Sequence, residues 1–246
     1  MDRPDRLGPL QGLTVDLEEL LLTALDPDAD ERLSAVVELP IGSGDLDEEQ
    51  LERVVATLIA LTEDPDPDVR DWATFGLGCQ LDYDSPALRA ALWARVGDRG
   101  GHTGDEAVFG LARRRDPLAA AMVAEVLEEP QVAPLFFQAA AYLRDLGLVD
   151  LLLRFHDEDS DEDDHVRVAL RECDPEQRAA RDDFVLRLMD LIFARAAGYD
   201  PVFYCEKLSL DITLATVKPL VWDVEALRRI SGGDPEKAAA RVLARL

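Results

Sequence analysis

The run HDEDSDEDDH, from His156 to His165, concentrates the groups in this 246-residue chain that could bind a metal. Asp157, Asp159, Asp161 and Asp163 alternate as the oxygen ligands of an EF-hand loop do, but Glu162 stands where such a loop needs glycine for its turn. Val168 stands where the bidentate glutamate belongs. The run reads as a solvated acidic loop; contact with a basic partner is its functional reading, and a carboxylate-based calcium site is the alternative. His102, His156 and His165 form no HExxH, and Cys79, Cys173 and Cys205 form no CxxC, so neither a zinc site nor a disulfide framework is indicated. Nucleotide loops of the GxGxxG or GxxxxGKS/T kind and the GxSxG elbow of serine hydrolases are missing as well. These residues assign no catalytic group, metal or cofactor.

Charge narrows the partner class. Acidic residues number 51 and basic ones 26, a formal net charge of −25. Such a chain repels nucleic acid and anionic membranes over a Debye length of roughly 8 Å. The imbalance is confined to the first part: from Asp174 onward there are 12 acids and 11 bases, against 39 and 15 before it. A genome-composition bias or a high-salt habitat would leave a similar imprint. No apolar run approaches the roughly 20 residues of a membrane span, and the first residues lack the basic start and apolar centre of a signal peptide. A soluble, cytoplasmic protein is expected.

The elements that must position these charges are helices. Pro follows Asp seven times, at Asp26, Asp64, Asp66, Asp116, Asp174, Asp200 and Asp234. Asp accepts from the unpaired amides of a first helical turn, and Pro fits the first helical position, so each dipeptide predicts a helix start. Ser85-Pro86 offers the same chemistry, and Thr103 with Glu106 and Asp47 with Gln50 have capping-box spacing. Apolar stripes of helical period follow: Leu51, Val54, Val55, Leu58 and Ile59; then Val69, Trp72, Ala73, Gly76 and Leu77; then Leu88, Ala91 and Leu92. Further helices are predicted over 17–25, 30–39, 105–114, 117–128, 134–145, 148–155 and 164–172. A long one begins at Asp174 and stops at Gly198, and two short ones flank Gly232-Gly233. The stretch SLDITLATV, Ser209 to Val217, is locally ambiguous between helix and strand.

The stripes repeat. WATFGLG at Trp72 to Gly78 matches EAVFGLA at Glu106 to Ala112 at an offset of 34, and QAAAYLR at Gln138 to Arg144 follows after a further 32. Arg32 and Ala35 stand 38 residues before Arg70 and Ala73. A period in the thirties holds one helical hairpin, and hairpins that cannot bury their apolar faces alone stack. The stretch from Asp66 to Gly78, DPDVRDWATFGLG, resembles the D-x-x-V-R-x-x-A-x-x-x-L-G signature of HEAT repeats, specifically the short bacterial HEAT-like, PBS-lyase-type repeats. The resemblance covers about Asp26 to Cys173. It implies an all-α fold, a right-handed α-solenoid over residues 1–173 with a divergent C-terminal helical cap or appendage at 174–246. It also implies that the signature Asp and Arg tie adjacent repeats through turn hydrogen bonds and that Ala73 and Gly76 permit close helix contact. The His-Glu ligand pairs of iron-binding HEAT enzymes have no counterpart here.

In such arrays the second helix of each hairpin lines the concave wall, which places Glu48, Glu49 and Glu52, then Glu125, Glu128 and Glu129, on an acidic inner surface. Trp93 falls off its stripe on the side of Arg89, where it could anchor a partner or pack on the next repeat; Trp72 is expected in the core. Arg113-Arg114-Arg115 is expected to complement a helix dipole. The expected function is a non-catalytic interaction scaffold or inhibitor, of adaptor or immunity type, that binds a basic protein. A HEAT-like enzyme such as a bilin lyase or a DNA base glycosylase is the alternative.

Overall fold

The computed structural model describes residues 16–41, 46–99, 102–156, 164–196, 201–206, 209–214 and 220–245. These residues are mostly helical, and they divide into two compact units, Met1–Ala119 and Ala120–Leu246. The division expected at Cys173 gives way because that residue lies within the second unit, where side chains from either side of it share one buried carboxylate, described below.

In the first unit, α1 (Leu17–Thr23), α2 (Ala29–Glu38), α3 (Glu48–Leu61), α4 (Pro67–Phe75), α5 (Pro86–Arg95) and α6 (Thr103–Arg113) succeed one another. Local chemistry sets most starts. Asp28, Asp66 and Ser85 accept from first-turn amides of α2, α4 and α5, and Asp47 with Gln50 closes a reciprocal capping box on α3. The box expected at Thr103 and Glu106 does not form. Thr103 is already inside α6, its hydroxyl donates to Asp71 at 2.8 Å, and Glu106 is buried.

α2 packs on α4 and α4 on α6, while α3 packs on both α4 and α5. The core they share holds Ala35, Val36, Val54, Leu58, Val69, Ala73, Leu77, Leu88, Leu92 and Leu111. Trp72, expected among them, is only half-buried and meets Phe75 edge-on at 5.6 Å, because its position on α4 lies at the rim of the apolar stripe. The helices come close where side chains vanish. A Cβ on Gly110 would lie 2.6 Å from the Gly78 Cα, and one on Gly78 would lie 2.7 Å from the Glu106 carbonyl oxygen. Gly76 is the looser contact, its Cβ position being 3.0 Å from the Pro40 ring.

The joints between these helices repeat. Arg32 donates through Nη1 to the carbonyls of Asp26 and Pro27 at 2.8 and 3.1 Å, and Arg70 does the same to Asp64 and Pro65 at 2.8 and 3.1 Å. Arg32 also forks onto the Asp64 carboxylate at 2.7 and 2.8 Å. Beyond α4 the chain widens into a π-helical turn, Gly76–Gln80, whose Gly76 carbonyl accepts from the Leu81 amide. Arg113 donates to the carbonyls of Gly78 and Cys79, and Arg114 to those of Leu77, Leu81 and Tyr83. The triple arginine therefore serves a helix end, as expected, but that end is the π-turn after α4 as well as that of its own helix, where Arg114 donates to the Gly110 carbonyl. Burial, with Arg113 adjacent, pushes the Arg114 guanidinium down to about 10, still charged at neutral pH.

The second unit carries α7 (Ala119–Leu127), α8 (Pro134–Leu143), a short α9 (Val149–Leu152) between 3-10 turns, α10 (Asp164–Cys173), α11 (Pro175–Arg195), α12 (Val224–Ile230) and α13 (Pro235–Leu243). Asp174 and Asp234 cap α11 and α13, each with Pro at the first position. The stop proposed at Gly198 lies outside the described residues.

Helix does not continue throughout. Asp200-Pro201, read as a helix start, leads instead into a strand, and 201–223 hold an antiparallel sheet of β1 (Pro201–Glu206), β2 (Ser209–Leu214) and β3 (Leu220–Asp223) in that order. Phe203 pairs with Ile212 and Ile212 with Trp222, which brings three large apolar residues onto one face. Val202 and Val221 alternate outward. Ile212 is fully buried against Leu188 and Ile192 of α11, Val224 and Leu227 of α12, and Ala238 and Val242 of α13. This core makes the C-terminal part an α/β appendage within a mostly helical protein.

Candidate functional site

Two sets of carboxylates stand out. One set lies at helix joints and is paired: Arg32 holds the Asp64 carboxyl below its ordinary range by a bidentate hydrogen bond, and Arg89 does so to Asp84 at 2.8 and 2.6 Å. The other set faces water. Glu48, Glu49 and Glu52 all lie on the exposed side of the first two turns of α3 in the first unit. Glu125 on α7, with Glu128 and Glu129 just after it, is likewise exposed in the second unit, although Arg154 sits at that helix end and donates to the Leu127 and Glu128 carbonyls. Trp93 is half-buried and its indole N–H points to Asp116 Oδ2 at 3.3 Å, so it packs within its own unit rather than standing out as an anchor. Asp157, Asp159, Asp161 and Asp163 lie outside the described residues. Among the described residues no three His, Cys, Asp or Glu side chains gather closely enough to hold a metal ion, and no helix is long and apolar enough to cross a membrane.

One concave feature of the second unit is lined by basic residues. A cavity of about 350 Å³ opens between α10 and α12, lined by Arg167 and Arg171 of the former and Arg228, Arg229 and Glu225 of the latter. Arg167 and Arg171 share a face by their i, i+4 spacing. The turn Gly232-Gly233 closes the rim; both glycines have positive φ, at 63° and 75°, and their amides donate to the Arg229 and Arg228 carbonyls at 3.1 and 2.9 Å. That is a Schellman closure, which glycine adopts without the steric cost another residue would meet.

Behind the cavity lies Glu172, buried, with one carboxylate oxygen accepting from Arg171 Nη2 at 2.9 Å and Arg181 Nη2 at 3.0 Å. Its second oxygen is 3.1 Å from Arg144 Nε in an ion pair that lacks hydrogen-bond alignment. Arg171, itself buried, then reaches Glu225 at 2.5 Å, and Arg228 meets the other oxygen of Glu225 at 3.2 Å. Glu172 thus fixes Arg171 from behind, and Glu225 holds the front. Sequence reasoning missed this cluster. Its signals were an Arg-x-x-x-Arg on one helix and Arg-Arg before Gly-Gly some 60 residues later, and only the packing of α10 near α12 joins them.

No family model matches the chain. Over 98 residues, 40% of its length, it is 30% identical to protein YibA of Escherichia coli strain K12, and the same holds for YibA of Escherichia coli O157:H7. The match spans 35% of each of those proteins, so the chain covers about a third of the length of the curated relatives it matches. An X-ray structure of YibA from Escherichia coli superposes with a TM-score of 0.46 at 22% identity, over 63% of this chain and 67% of that one.

Proposed function

We propose that the protein is a non-catalytic binding scaffold, a right-handed solenoid of HEAT-like hairpins over its first part, that docks a basic protein through the exposed carboxylates of α3. The observation that carries this reading is the partition of charge in the first unit. Arg32, Arg70, Arg89, Arg113 and Arg114 are engaged in joints, with carboxylates or carbonyl oxygens as their partners, whereas Glu48, Glu49 and Glu52 project into solvent. These five arginines are thus taken up by the joints, while the acids at the start of α3 face outward. A surface of one sign raises the encounter rate with an oppositely charged partner and leaves specificity to close packing.

The test is retention of a basic protein from the native cell by immobilised wild type and by the charge-reversed variant E48K/E49K/E52K. The expected result is a defined basic protein held at about 50 mM salt, released by about 500 mM, and bound at least tenfold more weakly by the variant. A complex indifferent to both salt and the three reversals would overturn the reading.

A further inference from the structure

We propose that the outward face of α11 is a self-association surface, on which a second copy of this chain packs its own α11 in antiparallel orientation. The inference is independent of the acidic docking surface of the first unit and survives its failure.

α11 is apolar on two opposite sides. Phe184, Leu188 and Ile192 are buried in the core that the helix shares with α12, α13 and the sheet. On the other side Leu186 and Phe193, seven residues apart, stand 63% and 55% exposed, and the half-buried Met189 lies between them along the helix. A surface helix needs one apolar stripe, and its outward side is ordinarily charged, as α3 shows with Glu48, Glu49 and Glu52. The outward stripe of α11 does not stop at the helix. The Phe193 ring meets the ring of the half-buried Phe203 of β1 at 5.6 Å, so apolar surface runs on from the helix to the first strand.

Charge selects the occupant. α11 carries four acids and four bases, and from Asp174 onward the chain holds 12 acids and 11 bases, within a molecule of net charge −25. A balanced face exerts no long-range pull on a basic protein, but it is where two copies of a strongly acidic chain approach with least repulsion. The flank of the stripe is also complementary to itself. Asp183, Arg187 and Asp190 follow one another along it at i, i+4 and i, i+3 spacing. Arg187 meets Asp183 at 3.0 Å as a solvated surface pair, with side chains 66% and 61% exposed, whereas Asp190 is exposed and pairs with no cation among the described residues. Two antiparallel α11 helices related by a twofold axis set Leu186 of each copy beside Phe193 of the other, and Arg187 of each beside Asp190 of the other. Both pairs are centred on the same helical turn, so one arrangement makes each contact twice. The apolar residues then form the centre and the ion pairs the rim. A parallel pairing would set Arg187 against Arg187 and Asp190 against Asp190.

Sedimentation equilibrium of the full chain from about 1 to about 100 µM, in about 50 and about 300 mM sodium chloride, tests this. The expected result is a reversible step from the 27.2 kDa monomer to a species of twice that mass, tightening several-fold at the higher salt as repulsion between the two acidic chains is screened. Salt acts in the opposite sense on a complex with a basic protein, so the two readings separate. L186E should weaken association at least tenfold while Tm and circular dichroism stay near wild type, because Leu186 is outside the core. R187E and D190R should each weaken it several-fold, and R187E/D190R should restore it, since the exchanged charges meet again across the antiparallel pair. The proposal fails if the chain stays monomeric at about 100 µM in about 300 mM salt, if L186E associates as wild type does, or if the double exchange associates no more tightly than either single one.

Discussion

At the scale of single residues, the joint aspartates carry more than their number suggests. Asp64 accepts a fork from Arg32, and its own oxygen also receives the Asp66 amide at 2.9 Å, so one side chain ties the turn before α4 to α2. Both partners are largely buried, at 12% and 6% side-chain exposure. Removing one member of such a pair strands the other, and Asp64→Asn is expected to cost about 3 kcal/mol by urea denaturation at neutral pH. The pH dependence has a definite sign. A carboxyl held below its ordinary value of 3.8 stabilises the fold above that value, and the contribution is lost as pH falls through the lowered one. The gap between wild type and D64N should therefore narrow as pH is lowered from about 6 toward about 3. A gap that stayed constant over that range would show the carboxylate charge to be irrelevant to the joint. These joints were visible in the sequence as Asp-Pro and as the aligned Arg32 and Arg70. The partner of each was not, since the two side chains of a brace lie 32 residues apart.

At the scale of elements, helix ends were legible and helix contacts were not. Caps at Asp66, Ser85, Asp174 and Asp234 stand where the sequence places them because capping is a matter of a few adjacent residues. The intimate crossing at Gly78 and Gly110 was invisible, because glycine in a helix has several uses and only a neighbour's backbone decides among them. Gly110→Ala would ordinarily favour a helix by about 1 kcal/mol. Here the added methyl would meet the Gly78 Cα at 2.6 Å and a Leu92 methyl at 2.9 Å, so backbone must move. We expect a net loss of about 2 kcal/mol and a lowered Tm. An unchanged or raised Tm would mean that the helices separate freely there. The sheet was missed for a related reason: β1 to β3 have four to six residues each, and the alternation of Val202 with Phe203 and Val221 with Trp222 is too short to outweigh the helical pattern around it.

At the scale of the whole molecule, the charge of −25 acts on stability as well as on partners. Self-repulsion among exposed acids destabilises the compact state, and salt screens it, whereas the buried Arg-Asp braces are screened far less. Tm is therefore expected to rise between about 20 and about 300 mM sodium chloride, and a steady fall would show that surface ion pairs dominate instead. The chain by itself determined its mostly helical character, most of its helix starts, its exposed acids and the repeat of Arg32 in Arg70, all of which are written within a turn or two of sequence. Only the tertiary structure decided that β1, β2 and β3 form a sheet, that Gly78 meets Gly110, and that Arg171 and Glu225, 54 residues apart, line one cavity together. The reason is physical: capping and periodicity are local energies, while pairing, close approach and convergence of charge depend on which distant segments come together to bury the same apolar surface.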